Sequence, residues 1–294
     1  MLSYRHAFHA GNFADLLKHI VQIEILLYLR NKEKPFDYID THAGAGCYAL
    51  DETMADKNKE YLNGIGHFMA LSGQGEPNFQ WSLEHSLSEP LLALLQQVNL
   101  CRERLNRENV YPGSPSIAMQ LLRQQDKAWL FELHSTDYRL LKQTVGRNRQ
   151  VYVRQEDGFQ GLLGLLPCQS RRALVLIDPP YEMKDDYQKV VNMTVKAHKK
   201  MPNTVFAIWY PVVDRDRIDQ IKSAFIASGI LSIQQYELGV RADAPGFGMT
   251  SAGMIVINPP WILMSKMQAL LPKLAEKVSL DLGMHFKCEQ WVSE

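Results

Sequence analysis

The chain has 294 residues, with 32 Lys+Arg against 32 Asp+Glu, a formal net charge of zero and a sequence pI of about 7.1. Hydrophobic residues at 46% and charged ones at 22% exclude disordered and fibrous classes, and the length admits one large α/β domain or two modest ones. The zero balance removes the globally basic signature of many nucleic-acid binders, so a nucleic-acid partner must be held by a local patch.

Residues 11 to 30 carry Leu16, Leu17, Ile20, Val21 and Leu27 at helical spacing after Gly11-Asn12, which predicts an amphipathic helix. After the Lys34-Pro35 break, Phe36-Asp37-Tyr38-Ile39-Asp40 reads as a strand that turns through Thr41-His42-Ala43-Gly44-Ala45-Gly46. Residues 51–110 change rhythm. A polar segment and a glycine-rich loop precede a helical run through Leu91, Leu95, Val98 and Leu105, which predicts an inserted helical subdomain. Beyond Tyr111-Pro112-Gly113-Ser114, strands are expected near residues 128–133, 151–154, 173–178, 204–210, 231–238 and 253–258. Helices are expected to begin near Pro115, Thr136, Phe159, Asp186, Arg215 and Ile262. The total is seven strands, and a helix between most neighbours implies right-handed crossovers and a mostly parallel sheet covered on both faces. The last two strands lack an intervening helix and are expected to be antiparallel.

No run approaches the ~18 apolar residues of a membrane span, and the first residues lack a signal-peptide core. Cys47, Cys101, Cys168 and Cys288 are scattered without a C-x-x-C pair, and His6 and His9 lack partner ligands for zinc. A cytoplasmic protein with no metal and no membrane anchor is expected.

The turn Gly44-Ala45-Gly46-Cys47-Tyr48-Ala49 matches a dinucleotide fingerprint, but that reading needs an acid ending a second strand about 20 residues on. Glu60 has the spacing and no strand around it. Glu132, at the end of Ala128-Trp129-Leu130-Phe131, is the better acid for two ribose hydroxyls, and Asp157 before Gly158 suits the amino edge of an adenine. With Asp40, three strand-end acids along one sheet edge predict a nucleoside-bearing cofactor.

The sharpest signal is Asp178-Pro179-Pro180-Tyr181, directly after Leu174-Val175-Leu176-Ile177. The prolines stiffen the loop and donate no hydrogen bonds, leaving the Asp178 side chain and the Pro179 carbonyl as fixed acceptors, with Tyr181 as an aromatic face. Two acceptors for an exocyclic amine and one ring to stack on it suit a flipped, amino-bearing base. The combination resembles the S-adenosylmethionine-dependent amino-methyltransferases, whose motif is Asp, Asn or Ser, two prolines, and an aromatic residue. Asn258-Pro259-Pro260-Trp261 matches it too. The catalytic copy belongs on the fourth strand, where Asp178 falls, so Asn258 is expected to be a strand terminus or a support for the first loop.

Tyr4-Arg5-His6-Ala7-Phe8-His9-Ala10-Gly11-Asn12 with Asp15 and Lys18-His19, the Asp40 to Gly46 turn, Tyr111-Pro112-Gly113-Ser114-Pro115, Ile177 to Lys184 and Gly253 to Trp261 together resemble the RlmJ family of 23S ribosomal RNA adenine-N6 methyltransferases. The resemblance runs over nearly the whole chain and is weakest in 51–110. It implies a Rossmann-like class I methyltransferase formed by residues 1–50 and 111–294, with 51–110 inserted. It also implies S-adenosyl-L-methionine held by His19, His42, Ser114, Glu132, Asp157 and Gly158, with Asp178 as catalytic acceptor and Tyr4 on the substrate. To these we add Lys18, beside His19, and Gly44, for close backbone approach. Phosphate contacts are expected from Arg5, Lys18, Arg102, Arg104, Arg107, Lys196, Lys199 and Lys200. The expected acceptor is 23S ribosomal RNA, protein-free or early in assembly, met by a monomer. A DNA adenine, another amino acceptor, or a non-catalytic nucleic-acid-binding role are the alternatives.

Overall fold

The computed structural model describes residues 6–51, 59–68, 88–183, 185–243 and 248–294. In chain order the strands are β1 (Asp37–Asp40), β2 (Cys47–Ala49), β3 (Val110–Pro112), β4 (Lys127–Phe131), β5 (Val151–Arg154), β6 (Ala173–Ile177), β7 (Val205–Val212), β8 (Ile233–Gly239), β9 (Ser251–Ile257) and β10 (His285–Val292). The helices are α1 (Phe13–Arg30), α2 (Glu89–Leu105), α3 (Ser114–Leu121), α4 (Ser135–Val145), α5 (Gly158–Leu165), α6 (Asp186–Lys200), α7 (Arg215–Ala227) and α8 (Leu263–Lys277).

Eight strands form one sheet in the order β10-β8-β9-β7-β6-β1-β4-β5, and β2 pairs with β3 in a separate hairpin. Pairing is parallel from β5 through β4, β1 and β6 to β7, while β9 runs antiparallel between β7 and β8. This is a Rossmann-like α/β architecture. The expected antiparallel last pair is present, but the strand count is eight. The extra strand, β10, pairs antiparallel with β8 on the open edge and is half-exposed or exposed along its length. Its sequence, HFKCEQWV, therefore lacks the apolar run by which the other strands are read.

β6 (ALVLI) is fully buried, as a central parallel strand covered on both faces must be. α1 is buried on nearly all sides, with Leu16, Leu17, Ile20, Val21, Ile23 and Leu26 inaccessible between the sheet and α2. Its start is fixed by Asn12, whose side chain accepts from the Ala14 and Asp15 amides. The segment between β2 and β3 thus leaves from and returns to one hairpin. Its helix α2 buries Leu91, Leu94, Leu95 and Val98 in the same core as α1.

Because β1, β4, β5 and β6 run one way, the acids at or just beyond their ends, Asp40, Glu132, Asp157 and Asp178, meet at one sheet edge. β9 runs the other way. Its last residue, Ile257, pairs with Phe206 near the start of β7, so Asn258-Pro259-Pro260-Trp261 lies at the opposite edge. Asn258 is therefore a strand terminus and supports nothing in the Asp178 loop. Its side-chain amide donates to the Pro202 and Thr204 carbonyls at 2.7 Å each, and Trp261 is 81% exposed. Among the described residues no helix is long and apolar enough to cross a membrane.

Candidate active site

The loops after β1, β4, β5 and β6 enclose a cavity of about 200 Å³, room for several waters and so a binding space rather than a packing defect. Glu132 is fixed there by the backbone. Gly44 N donates to its Oε2 at 2.8 Å and His134 N to its Oε1 at 2.7 Å. Burial raises its pKa, opposed by these two amides. Gly44 makes its bond from a left-handed conformation, φ +60°, and a Cβ there would meet the Tyr48 hydroxyl at 2.3 Å.

Asp157 is the N-cap of α5. Its Oδ1 accepts from the Phe159 and Gln160 amides at 2.9 and 3.1 Å, and Oδ2 lies 3.4 Å from Lys189 Nζ. One carboxylate oxygen is thus spent on the helix, and the other is shared with Lys189, which also lines the cavity. Gly158 has a second reason to be glycine: a Cβ would stand 1.9 Å from the Thr41 carbonyl oxygen, where α5 presses on the turn after β1.

Behind the cavity is a closed polar network. Ser114 Oγ and the Tyr38 hydroxyl both donate to Asp40 Oδ2 at 2.7 Å, and Gln22 Nε2 donates to the Ser114 carbonyl at 2.8 Å. Asp40 is fully buried, which pushes its carboxyl up to about 6. Asp40, counted from the sequence among three strand-end acids at this edge, lies one layer back and holds Ser114 at the cavity wall. His19 and His42 do reach the cavity. Burial drives His19 down to about 3 and His42 to about 4, so both are neutral. His19 Nδ1 meets the Tyr111 hydroxyl at 2.9 Å, while its Nε2 is buried with no hydrogen-bond partner among the described residues. An orphaned imidazole nitrogen beside an open cavity is what a polar ligand would satisfy.

A second cavity, of about 250 Å³, adjoins the first and is lined by Tyr181, Tyr187, Trp209 and Arg217. His6, Lys18, Asp178 and Pro180 line both, and so form the shared wall. Tyr181 sits at φ +51°, with its hydroxyl donating to the Trp209 carbonyl at 2.6 Å and its ring 4.5 Å from that of Tyr187. Non-glycine residues adopt this backbone rarely, so the ring is aimed at a cost. On the wall, Lys18 Nζ lies 2.6 Å from Asp178 Oδ2 and 2.8 Å from Asp15 Oδ1. Burial opposes the ammonium charge, but the two carboxylates outweigh it and hold the Lys18 pKa above its ordinary value.

Every cofactor-side residue expected from the sequence lines the first cavity: His19, His42, Gly44, Ser114, Glu132, Asp157, Gly158 and Lys18, with Asp178 and Pro179 at its edge. Tyr181 belongs to the second cavity. Tyr4 and Arg5 lie outside the described residues. Three arginines expected to meet phosphates are tied internally, Arg102 to Glu108, Arg104 to Ser116 and Arg107 to Asp51. Lys18 is likewise committed to carboxylates. Glu60 has no strand about it and accepts from the Asn12 side chain at 3.0 Å. No group of three or more metal-ligating side chains occurs among the described residues. Asp15, Trp209 and Arg217 were missed. A signal existed for Asp15: Asp15, Lys18, His19 and Gln22 form one polar stripe on a mainly apolar helix.

The chain matches, over residues 33–293, the family described as ribosomal RNA large subunit methyltransferase D, RlmJ. It is 45% identical over 294 residues to ribosomal RNA large subunit methyltransferase J of Escherichia coli K12, covering 99% of each chain. It is 43% identical over 293 residues to the Haemophilus influenzae protein of the same name, covering 100% of this chain and 99% of that one. A crystal structure of a Legionella pneumophila protein superposes with a TM-score of 0.82 at 31% identity, covering 96% of this chain and 98% of the other.

Proposed function

Since the chain belongs to the RlmJ family of ribosomal RNA large subunit methyltransferases, we propose that it methylates the exocyclic 6-amino group of an adenine in 23S ribosomal RNA, using S-adenosylmethionine. The observation that carries this reading is the pair of adjoining cavities whose common wall bears Asp178 and Pro180. One cavity suits a nucleoside cofactor, the other a planar base, and the acceptor stands between them.

S-adenosylmethionine, when bound, supplies an electrophilic sulfonium methyl group. The first cavity fits it: Glu132 offers two oriented oxygens to ribose hydroxyls, and Asp157 with Gly158 offers an edge for an adenine amine. His19, His42, Ser114 and Gly44 surround the remaining end, where the orphaned Nε2 of His19 awaits a partner. Tyr181 stacks on the extruded target base in the second cavity, and Tyr4 and Arg5 meet the RNA. Extrusion costs a few kcal/mol, less for an unpaired base.

The adenine amine is a weak nucleophile because its lone pair is delocalised into the ring. As the nitrogen bonds to the methyl carbon, the carbon–sulfur bond would break with its electron pair leaving on the thioether S-adenosylhomocysteine, and the amine gains positive charge and becomes acidic. Asp178 accepts one amine hydrogen and takes the proton as that charge develops, while the Pro179 carbonyl holds the other. Alignment across the wall supplies much of the acceleration, since effective molarities of order 10⁵–10⁸ M are reached by well-oriented partners. Residues 1–50 and 111–294 form the catalytic part in this reading, with 51–110 inserted, and the enzyme acts as a cytoplasmic monomer on RNA that is protein-free or early in assembly.

The test is methyl transfer from labelled S-adenosylmethionine to unmodified, protein-free 23S ribosomal RNA, followed by nucleoside mass spectrometry. 6-Methyladenosine is the expected product. Label in a different nucleoside, or cofactor binding without transfer to RNA, would overturn the acceptor assignment.

A further inference from the structure

Asp15 is the buried hub behind the shared wall. Its side chain is 2% exposed, and both of its oxygens are engaged by groups that line the cavities. Oδ1 lies 2.8 Å from Lys18 Nζ, and Oδ2 lies 2.9 Å from His6 Nε2. The Gly11 amide also donates to Oδ2 at 2.9 Å. The bond to Gly11 resembles a capping box at N3 of α1, but those to Lys18 and His6 do not serve capping, and Asn12 accepts the first free amides of the helix.

The arrangement matters because of charge. Lys18 sits 2.6 Å from Oδ2 of Asp178, the proposed acceptor. An ammonium group this close to a lone carboxylate would leave a neutral pair, with little attraction for an amine that turns cationic as it reacts. A second carboxylate on the same ammonium draws part of its charge away from Asp178, and low-dielectric surroundings strengthen the effect. The side chains of Asp15 and Lys18 lie one helical turn apart on α1, so helix geometry fixes their pairing, whereas Asp178 approaches from a separate loop. Burial works against the charge on Asp15, but neighbouring His6 and Lys18 hold its carboxyl well below the usual range and keep it ionised.

We propose that Asp15 is a positioning residue for methyl transfer, anchoring His6 and Lys18 and absorbing enough of the lysine charge to keep Asp178 an effective acceptor. The inference rests on the role of Asp178 proposed above. It makes Asp15 necessary for the rate of transfer and dispensable for cofactor binding.

The test uses the full chain with Asp15→Asn, which keeps the shape and removes the charge, and Asp15→Glu, which keeps the charge. Single-turnover transfer, KM for S-adenosylmethionine and melting temperature are measured for each. Asp15→Asn is expected to lower kcat about 10- to 100-fold, the scale of a misplaced catalytic group, with KM close to wild type, and to lower the melting temperature, because its new amide N–H faces a donor. Asp15→Glu is expected to recover part of the lost rate. Wild-type kcat in Asp15→Asn overturns the proposal. So does a parallel fall in melting temperature and cofactor affinity with Asp15→Glu no better, which would make Asp15 merely structural. Asp178→Ala in the same assay separates the two readings: an active Asp178→Ala protein removes the premise, whereas an inactive one beside an unaffected Asp15→Asn removes only the role of Asp15.

Discussion

Asp178-Pro179-Pro180-Tyr181 and Asn258-Pro259-Pro260-Trp261 fit the same motif, and both leave a fully buried strand. The first opens at the sheet edge where β1, β4, β5 and β6 end, between two cavities, with its aromatic ring pinned against Trp209. The second opens at the other edge because β9 is reversed, and its Trp261 projects into solvent. Strand direction, rather than the tetrapeptide, decides which acceptor meets a ligand. Both loops place one residue in the left-handed region, Tyr181 at +51° and Asn258 at +53°. In one that conformation aims a ring, and in the other it turns an amide onto two carbonyls.

The comparison breaks most visibly at the acceptors. Asp178→Ala should lower methyl transfer by roughly 10²–10⁴, the range of a positioned acid–base group, while S-adenosylmethionine still binds by calorimetry. At the aromatic positions, Tyr181→Ala should cost ~1–3 kcal/mol of transition-state binding, about 5- to 150-fold in kcat/KM for RNA, and Trp261→Ala should change it less than twofold. Gly158→Ala forces a Cβ against the Thr41 carbonyl and should cost ~1–3 kcal/mol in thermal denaturation, with weakened cofactor binding. Asn258→Ala should lower stability by about 1 kcal/mol through two lost hydrogen bonds and leave kcat/KM intact.

pH sharpens the contrast further. His19 and His42, held near 3 and 4, contribute stability that is present above the ordinary value of 6.5 and lost as pH falls towards the folded values. The melting temperature should therefore decline as pH falls from 6.5 towards 4, and His19→Gln should flatten the decline. Asp40, raised to about 6, has the opposite sign: its share is present below 3.8 and lost as pH rises through 6. Asp40→Asn should accordingly steepen the decline.

Most of the sheet was legible because its strands are apolar runs ended by acids, glycine or proline, and helix starts were marked by caps such as Asp157 and Asp214. β10 was not, since its polar–apolar alternation runs only from His285 to Glu289 and breaks off at Gln290, where its register with β8 also shifts. On the site, Glu132, Asp157 and Asp178 announced themselves as strand-end acids. Asp40 has the same signature, and only the Ser114 and Tyr38 bonds reveal that it faces inward. Trp209 and Arg217 look like ordinary strand and helix residues until β7 and α7 bring them beside Tyr181.

The central claim is that cofactor and target base occupy separate cavities that meet at Asp178. Crystals grown with S-adenosylhomocysteine and adenosine test it most directly. The predicted result is the cofactor product against Glu132 and Gly158, the purine beside Tyr181, and its 6-amino group at the Asp178 carboxylate. Adenosine bound away from Tyr181, or a cofactor product seated in the second cavity, would contradict it.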